Sequence, residues 1–385
     1  MIINRIAESE LLALSKQYRA IAVVGPRQSG KTTLVRSCFP GKAYVNLENT
    51  DTRRFAIEDP RGFLSGFPHG AILDEVQRVP EIFSYLQQVL DENNTKGQFI
   101  LTGSNNFLLQ QNISQTLAGR VGYLFLLPLS LQELDHPFPS TDALIYRGFY
   151  PEIYADKEMD AGKYYSNYIR TYVERDVRMI KNIVDLYTFE RFVRLCAGRT
   201  GQLLNMNSLA IEAGVDNKTV ASWLSVLETS FIVFRLQPYH KSFNKRIVKM
   251  PKLYFYDTGL ASALLGIDNK EQLGLHPSRG ALFENMVVVE FLKNRFNSGK
   301  MNNLFFWRDN VGTEIDLLIE NSESLIPVEI KSGQTITDAY FKSITTWCKI
   351  SGIDKGWVIY AGNQPQKRSN GITVLPYTEI GTFQP

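Results

Sequence analysis

Short apolar runs divide the first part of the chain into strand-sized segments. Residues 21–24, 71–73 and 98–102 each have the length and composition of a buried strand of a parallel sheet. A glycine follows the first run, an Asp–Glu pair follows the second, and a Gly–Ser–Asn turn follows the third. This pattern predicts an α/β domain with a parallel sheet over residues 1–140.

The pattern becomes helical over residues 141–275. Between residues 161 and 196, aromatic and apolar positions recur three and four residues apart, which predicts a helix with a buried face. Residues 209–215 and the apolar positions that follow predict two helices crossing at a tight turn, and Asp216 is a suitable N-cap for the second. Its exposed face is expected to carry Asn217, Lys218, Thr219 and Ser222. Strand-like runs at 231–236 and 252–256 complete the order of a winged helix.

The last part of the chain, residues 276–385, predicts a second α/β domain with the order αβββαβ. The expected elements are a helix over 281–296, strands over 304–307, 314–319 and 325–330, a helix over 337–348 and a strand over 356–360.

The sequence GPRQSGKT, from Gly25 to Thr32, is a complete phosphate-binding loop in the context of a preceding strand and a following apolar helix. Gly25 and Gly30 let the backbone curl so that its N–H groups face a polyphosphate. Lys31 is expected to neutralise the β- and γ-phosphates of ATP, and the Thr32 hydroxyl to bind Mg²⁺. The residues expected to contact the nucleotide are Gly25, Gln28, Ser29, Gly30, Lys31, Thr32, Thr33 and Ser104.

The two later strand ends supply the remaining groups of such a site. Asp74 is expected to hold Mg²⁺, and Glu75 to orient and polarise the attacking water. Ser104 could sense the γ-phosphate, with an ordinary strand-to-loop turn as the alternative. Arg120 is a candidate to act on ATP bound to a neighbouring subunit of a homo-oligomer, with a purely structural arginine as the alternative.

Several segments together resemble a prokaryotic AAA+ ATP-binding family whose members carry an appended C-terminal domain of uncharacterised function. They are GPRQSGKTT, LDEVQ, LTGSNN, LAGRV, LPLSLQEL, GFYP, YVERD, LYFYDTGL and FEN, in this order. The resemblance covers almost the full chain. It implies an ATP-hydrolysing core and no particular biological role.

The C-terminal order of elements resembles the restriction-endonuclease-like core of the PD-(D/E)xK superfamily. That resemblance places Asp316 on the second strand, Glu329 and Lys331 on the third, and Glu284 on the first helix. Glu329 and Lys331, two residues apart on a strand, project to one face, where Asp316 could join them to hold a metal ion while Lys331 activates water. No proline precedes Asp316, which departs from the fuller signature, and a binding scaffold without activity stays open as the alternative.

Charge narrows the choice of partners. The 42 Lys and Arg residues exceed the 39 Asp and Glu residues by only 42 − 39 = +3, so any nucleic-acid site must be local. Between Glu228 and Asp257 the chain has no acidic residue, and this basic stretch, 235–252, is a candidate DNA-binding wing. It contains Arg235, Lys241, Lys245, Arg246, Lys249 and Lys252. A lid or a protein-binding module is the alternative.

Composition favours a folded, cytoplasmic protein. The 385 residues are 44% hydrophobic and 21% charged, the longest apolar run is broken by Pro128, and three distant cysteines suggest neither a disulfide framework nor a zinc site. No membrane span or secretory signal is expected. Two functions remain open: an ATP-dependent switch or motor acting on nucleic acid or a protein partner, and a metal-dependent nuclease whose cleavage of DNA is gated by ATP.

Overall fold

The structure, a computed structural model, describes residues 3–103, 106–134, 140–172, 185–240, 248–321 and 324–383. Ser104 lies outside these ranges. So do Lys241, Lys245 and Arg246 of the basic stretch.

Within the described residues, the first sheet has five strands that all run parallel, in the order β2-β3-β4-β1-β5. Its strands are β1 (Ala20–Val24), β2 (Ala43–Asn46), β3 (Ala71–Asp74), β4 (Phe99–Thr102) and β5 (Val121–Phe125). The three predicted strands are confirmed as β1, β3 and β4, which are buried along their whole length. Their edge neighbours β2 and β5 were not predicted.

Helices cover both faces of this sheet. They are α1 (Glu8–Gln17), α2 (Lys31–Cys38), α3 (Thr50–Glu58), α4 (Pro60–Ser65), α5 (Ile82–Glu92) and α6 (Asn106–Thr116). Side chains alternate between the two faces of a strand, so Ile21 and Val23 pack with α1 and α2, while Ala22 and Val24 lie in the core formed with α4 and α5. This alternation explains why β1 is apolar at every position.

The middle of the chain is helical, as predicted, and then forms a hairpin. The elements are α7 (Thr141–Arg147), α8 (Pro151–Ala155), α9 (Ala161–Tyr168), α10 (Leu186–Ala197), α11 (Met206–Ala213), α12 (Asn217–Thr229), β6 (Val233–Pro238) and β7 (Lys252–Phe255). The Asp216 carboxylate accepts a hydrogen bond from the Thr219 N–H at 2.9 Å, so the predicted N-cap of α12 is confirmed. Residues 200 and 203 form bridges to β7, which places a short third segment beside the hairpin.

The predicted C-terminal order αβββαβ is confirmed, and a further pair of strands follows it. After α13 (Thr258–Leu264) and α14 (Lys270–Leu275) come α15 (Arg279–Asn297), β8 (Leu304–Arg308), β9 (Glu314–Asn321), β10 (Ser324–Lys331), α16 (Lys342–Ser351), β11 (Gly356–Tyr360), β12 (Gln366–Lys367) and β13 (Ile372–Pro376). The chain is thus a mixed α/β protein with a parallel sheet, a helical middle and a C-terminal α/β sheet.

One sheet joins the middle of the chain to its C-terminal part. Among the described residues its order is β12-β13-β11-β10-β9-β8-β6-β7, and the hairpin enters it where Gln237 and Pro238 pair with Phe305 and Phe306. The division into segments 1–140, 141–275 and 276–385 stays a prediction, and this sheet crosses the second boundary. In the described ranges, no helix has both the length and the apolar character needed to cross a lipid bilayer.

Candidate nucleotide-binding site and C-terminal acidic cluster

The phosphate-binding loop connects the buried end of β1 to the first turn of α2. Gly25 has φ 154°, and a Cβ atom there would clash with the Leu126 carbonyl oxygen, so only glycine fits. Gly30 has φ 91° and precedes the first residue of α2, Lys31. Gln28 also has a positive φ, of 63°, although it is not a glycine. The backbone is therefore curled as the sequence predicts.

The Lys31 side chain is buried against its own loop. Its ammonium donates hydrogen bonds to the carbonyl oxygens of Gly25, at 3.0 Å, and Pro26, at 2.6 Å. Burial lowers the pKa of Lys31 to about 8, and the nearby carboxylates of Glu75 and Asp74 partly oppose that shift. A polyphosphate would give this ammonium a stronger acceptor than the two carbonyl groups.

The Asp74 carboxylate accepts hydrogen bonds from three hydroxyl groups. Thr32 donates to its Oδ2 at 2.9 Å, Tyr44 donates to the same oxygen at 2.8 Å, and Thr102 donates to Oδ1. Burial, followed by the hydrogen bond to Asp74, raises the pKa of Tyr44. Sequence analysis missed Tyr44 and Thr102, although the position of Thr102 at the end of an apolar run was a usable signal.

The Asp74 site fits the Mg²⁺ that is expected to accompany the nucleotide. A carboxylate and a hydroxyl, both oxygen donors of the kind that Mg²⁺ prefers, meet beside the loop that would hold the phosphates. The residues that would hold the ion are Thr32 and Asp74, and this assignment stays a prediction.

Glu75 leaves the strand in a left-handed conformation with φ 55°. The buried side chain of Gln77 donates a hydrogen bond from Nε2 to Glu75 Oε2 at 2.5 Å. A non-glycine residue in this conformation is strained unless its surroundings hold it, and Gln77 is one of the groups that do so. Gln77 thereby helps to fix the direction of the Glu75 carboxylate.

A cavity of about 820 Å³ opens over the loop and is bounded by three parts of the chain. The loop and the ends of β2 and β3 form its floor, residues 3–5 form one side, and α8 of the middle region forms another. The predicted contact residues that line it are Gln28, Gly30, Lys31, Thr32, Thr33, Asp74 and Glu75. Ser29, which is part of the loop, is fully buried, and its carbonyl oxygen accepts a hydrogen bond from Arg5 at 2.7 Å.

Tyrosines of α9 and of the segment after it contact Arg27 and Gln28, which lie between the two glycines of the loop. The Tyr164 hydroxyl donates to Gln28 Oε1 at 2.9 Å, and the Tyr168 hydroxyl lies 3.5 Å from the Arg27 carbonyl oxygen. The Arg27 guanidinium lies 5.8 Å from the centre of the Tyr172 ring. The periodic tyrosines therefore form a buried core, as predicted, and also contact the phosphate-binding loop.

A second set of contacts connects the loop to the C-terminal part of the chain. Arg5 bonds the Leu127 carbonyl oxygen at 2.7 Å and pairs with Glu133 at 3.0 Å. Two fully buried residues of α15 hold the same segment: Glu290 accepts from the Leu131 N–H at 2.7 Å, and Lys293 donates to the Leu129 carbonyl oxygen at 2.7 Å. The segment 127–133 is thus fixed from both sides.

Arg120 lies away from the loop. Its carbonyl oxygen pairs with the Ala20 N–H at the start of β1, whereas the phosphate-binding loop follows the end of that strand. Its guanidinium makes a two-point ion pair with Asp91, at 2.7 and 2.8 Å. The prediction that Arg120 acts on a neighbouring subunit stays a prediction, and that ion pair would have to open first.

In the C-terminal sheet, Asp316, Glu329 and Lys331 do come together. Lys331 Nζ lies 2.6 Å from Glu329 Oε1 and 3.9 Å from Asp316 Oδ2. Asp316 also accepts a hydrogen bond from the Ile330 N–H at 2.8 Å. Burial and the neighbouring Glu329 raise the pKa of Asp316, and burial raises the pKa of Glu329.

Glu284 faces a lysine that sequence analysis assigned to the DNA-binding wing. Lys252 Nζ lies 2.9 Å from Glu284 Oε1 and also pairs with Glu314, and its side chain is only 3% exposed. Tyr254 donates a further hydrogen bond to Glu284 at 2.6 Å. Within the described ranges, no three Asp, Glu, His or Cys side chains form a group suited to a metal ion. In this arrangement the predicted metal ligands Glu284, Asp316 and Glu329 do not fit a divalent cation, because lysines pair with them.

The prediction for the basic stretch requires correction at two positions. Lys252 is buried, and Arg235 is neutralised by Glu228 at 2.6 and 2.7 Å, so neither offers a free charge to DNA. Lys249 is exposed. The other three basic residues lie outside the described parts of the chain.

Three family models match successive parts of the chain. One described as an AAA domain matches residues 17–135, and two domains of unknown function, DUF8612 and DUF4143, match residues 139–271 and 279–380. Uncharacterized proteins of Mycobacterium tuberculosis and Mycobacterium bovis are each 30% identical over 388 residues, covering 99% of this chain and 85% of the relative. An uncharacterized protein of Methanocaldococcus jannaschii is 22% identical over 377 residues, covering 89% of this chain and 80% of the relative. Among solved structures, a Walker-type ATPase of Pyrococcus abyssi aligns with a TM-score of 0.43 and 14% identity, over 68% of this chain and 96% of that one.

Proposed function

We propose that this protein binds Mg-ATP in the cavity over the phosphate-binding loop and hydrolyses it. The chain belongs to the family of AAA-domain proteins that includes its uncharacterized mycobacterial relatives, and this membership supports the proposal. The observation that carries this proposal is the contact between Thr32 and Asp74 beside Lys31. This contact joins the two halves of a nucleotide site that lie far apart in the sequence.

Each side chain then has a defined task. Lys31 moves from the loop carbonyl groups to the β- and γ-phosphates, and the loop N–H groups orient the same phosphates. Thr32 and Asp74 would hold Mg²⁺, which would supply further charge neutralisation. Glu75 accepts a proton from the attacking water, in the orientation that Gln77 helps to hold. The test is ATP turnover by the purified full chain with Mg²⁺, compared with Lys31→Ala.

We further propose that hydrolysis is coupled to DNA through the middle region. Helix α10, the short segment at 200–203, helices α11 and α12 and the β6–β7 hairpin have the order of a winged helix. Asn217 and Lys218 are exposed in the first turn of α12, and Lys249 is exposed before β7. These groups suit contact with phosphates and a groove.

Salt dependence tests the DNA proposal. The affinity for duplex DNA is expected to fall with salt, and the slope is expected to become shallower in the triple variant Lys245→Ala, Arg246→Ala and Lys249→Ala, because fewer counterions are released. An unchanged slope would assign the basic stretch to a protein partner or to a structural role.

A second candidate function is cleavage of DNA under the control of ATP. It is favoured by the convergence of Asp316, Glu329 and Lys331, the residues expected of an endonuclease-like site. Incubation of plasmid and single-stranded DNA with Mg²⁺ or Mn²⁺, with and without ATP, separates the two functions. Cleavage that is lost in Lys331→Ala would support the nuclease.

A further inference from the structure

We propose that Lys252 is an internal cation that closes the acidic cluster of the C-terminal sheet and keeps a divalent cation out of it. The acidic cluster is defined here as Glu284, Glu314, Asp316 and Glu329. DNA cleavage at the cluster would rest on the second candidate function above, but the closing role of Lys252 does not.

The lysine reaches the cluster from a different part of the chain. Lys252 is the first residue of β7, whereas the four carboxylates come from α15, β9 and β10. Its ammonium bonds Glu284 at 2.9 Å, contacts Glu314, and lies 5.6 Å from the centre of the Phe306 ring. A lysine buried to this degree requires paired carboxylates, and these contacts supply them.

The charges show what would follow from its removal. The four carboxylates face Lys252, Lys331 and Arg308, whose guanidinium lies 2.8 Å from Glu314. Among the described residues, two basic groups would remain for four acids without Lys252, and Glu284 would keep only its hydrogen bond from Tyr254. The Oε2 atom of Glu329 is buried and has no hydrogen-bond partner in the described structure, so one acceptor is already unsatisfied. A divalent cation would compensate both deficits.

The position of β7 connects this lysine with the ATP site. Two residues beyond the end of β7, Asp257 accepts hydrogen bonds from the Phe149 N–H, at 2.7 Å, and the Leu260 N–H, at 2.9 Å. Tyr150 directly follows Phe149 in the chain, and the centre of its ring lies 5.7 Å from that of Tyr164. The Tyr164 hydroxyl in turn donates a hydrogen bond to the phosphate-binding loop. Contiguous buried contacts therefore connect the phosphate-binding loop with the segment that follows β7.

The experiment measures thermal unfolding of the full chain without nucleotide, in EDTA and in Mn²⁺. Lys252→Met is expected to melt below the wild type in EDTA, because it leaves buried carboxylates unpaired. Mn²⁺ should then raise its melting temperature by about 3 °C or more, since a ligand bound only to the folded state stabilises it. Adding Glu329→Gln to Lys252→Met should abolish this rise.

Matched controls separate the cluster from other sites. Lys300→Met removes an exposed lysine and should respond to Mn²⁺ as the wild type does. A rise in the wild type that Glu329→Gln removes would overturn the proposal, because the cluster would then be open with Lys252 in place. No Mn²⁺ response in a folded Lys252→Met would also overturn it.

A second variant covers the case in which Lys252→Met does not fold. Lys252→Gln removes the charge but keeps a polar side chain that can donate a hydrogen bond to Glu284, and it should show the same Mn²⁺ response, which Glu329→Gln removes. A folded Lys252→Gln variant without any response would contradict the closing role. ATP turnover is measured separately on the wild type, so failure of the ATPase proposal would be seen there and not in these melting curves.

Discussion

The Thr32 hydroxyl donates a hydrogen bond to the Asp74 carboxylate at 2.9 Å, across 42 positions of the sequence. The contact joins the first turn of α2 to the last residue of β3. Parallel strands bring their carboxyl ends to one edge of the sheet, so two separate motifs form one site there.

Removal of the Lys31 ammonium is expected to abolish tight ATP binding. Two charge-assisted hydrogen bonds of about 1.5 kcal/mol each correspond to a loss of roughly 100-fold in affinity for Lys31→Ala. The measurement is a titration with a fluorescent ATP analogue. Lys16→Ala, which removes an exposed lysine of α1, serves as the control. Wild-type affinity in Lys31→Ala would refute the assignment of the loop.

Glu75→Gln should separate binding from hydrolysis. It leaves Lys31, Thr32 and Asp74 in place and removes only the proton acceptor, so the dissociation constant should change by less than about threefold while kcat falls about 100-fold or more. Single-turnover hydrolysis measures the chemical step directly. Glu81→Gln, on an exposed neighbouring glutamate, should behave as the wild type. Unchanged hydrolysis in Glu75→Gln would mean that another group accepts the proton.

The affinity for ATP should depend on pH through Lys31. The pKa of this residue is lowered to about 8 in the nucleotide-free protein, and bound phosphates would raise it. Below pH 8 the Lys31 ammonium is already charged, so its contribution to the affinity for ATP is fully present. Above pH 8 binding must take up a proton, and the affinity should fall by up to about tenfold per pH unit.

Calorimetry in buffers of different ionisation enthalpy detects that proton uptake. Lys31→Arg should show a flat profile over the same range, because a guanidinium stays charged. Equal proton uptake in this variant would assign the titration to another group.

Tyr164→Phe should loosen the phosphate-binding loop with little effect on folding. It removes the hydrogen bond to Gln28, and a bond of about 1 kcal/mol corresponds to a change of about fivefold in nucleotide affinity. Tyr165→Phe is a matched control, because it removes a buried hydroxyl that bonds the Arg147 carbonyl oxygen instead. If the hydroxyl acts through Gln28, the effects of Tyr164→Phe and Gln28→Ala will not add in the double variant.

Glu290→Ala should destabilise the whole chain. Glu290 and Lys293 are buried 3.5 Å apart, where burial raises the pKa of the carboxyl and lowers that of the ammonium. Loss of one partner leaves a buried charge, which costs about 3–5 kcal/mol in the free energy of unfolding. Urea denaturation measures the change. Glu271→Ala breaks an exposed pair with Lys270 and should cost less than about 1 kcal/mol.

The double variant Glu290→Gln and Lys293→Met should be less destabilised than Glu290→Ala, since no unpaired charge remains. A double variant that is less stable than either single variant would show that the hydrogen bonds to residues 129 and 131 matter more than the charges.

Local patterns determined much of the fold and the centre of the candidate nucleotide site. The phosphate-binding loop, strands β1, β3 and β4, the Asp216 cap and the C-terminal order of elements depend on neighbouring residues, on backbone freedom at glycine and on apolar periodicity. The spacing between Gly25, Lys31 and Thr32 fixes their relative geometry, so candidate roles for these three residues could be assigned without a structure.

Only the tertiary structure decided where the remaining charged and polar groups lie. Tyr44 and Thr102 meet Asp74 because separate strands pair beside β3, and no local pattern marks that pairing. Lys252 belongs to a run that looks solvated and basic, yet its strand carries it into a cluster of carboxylates. The charge of a residue can be read from the sequence, whereas its burial depends on contacts between distant segments. Burial in turn determines whether a lysine is available to a partner or pairs with carboxylates inside the fold.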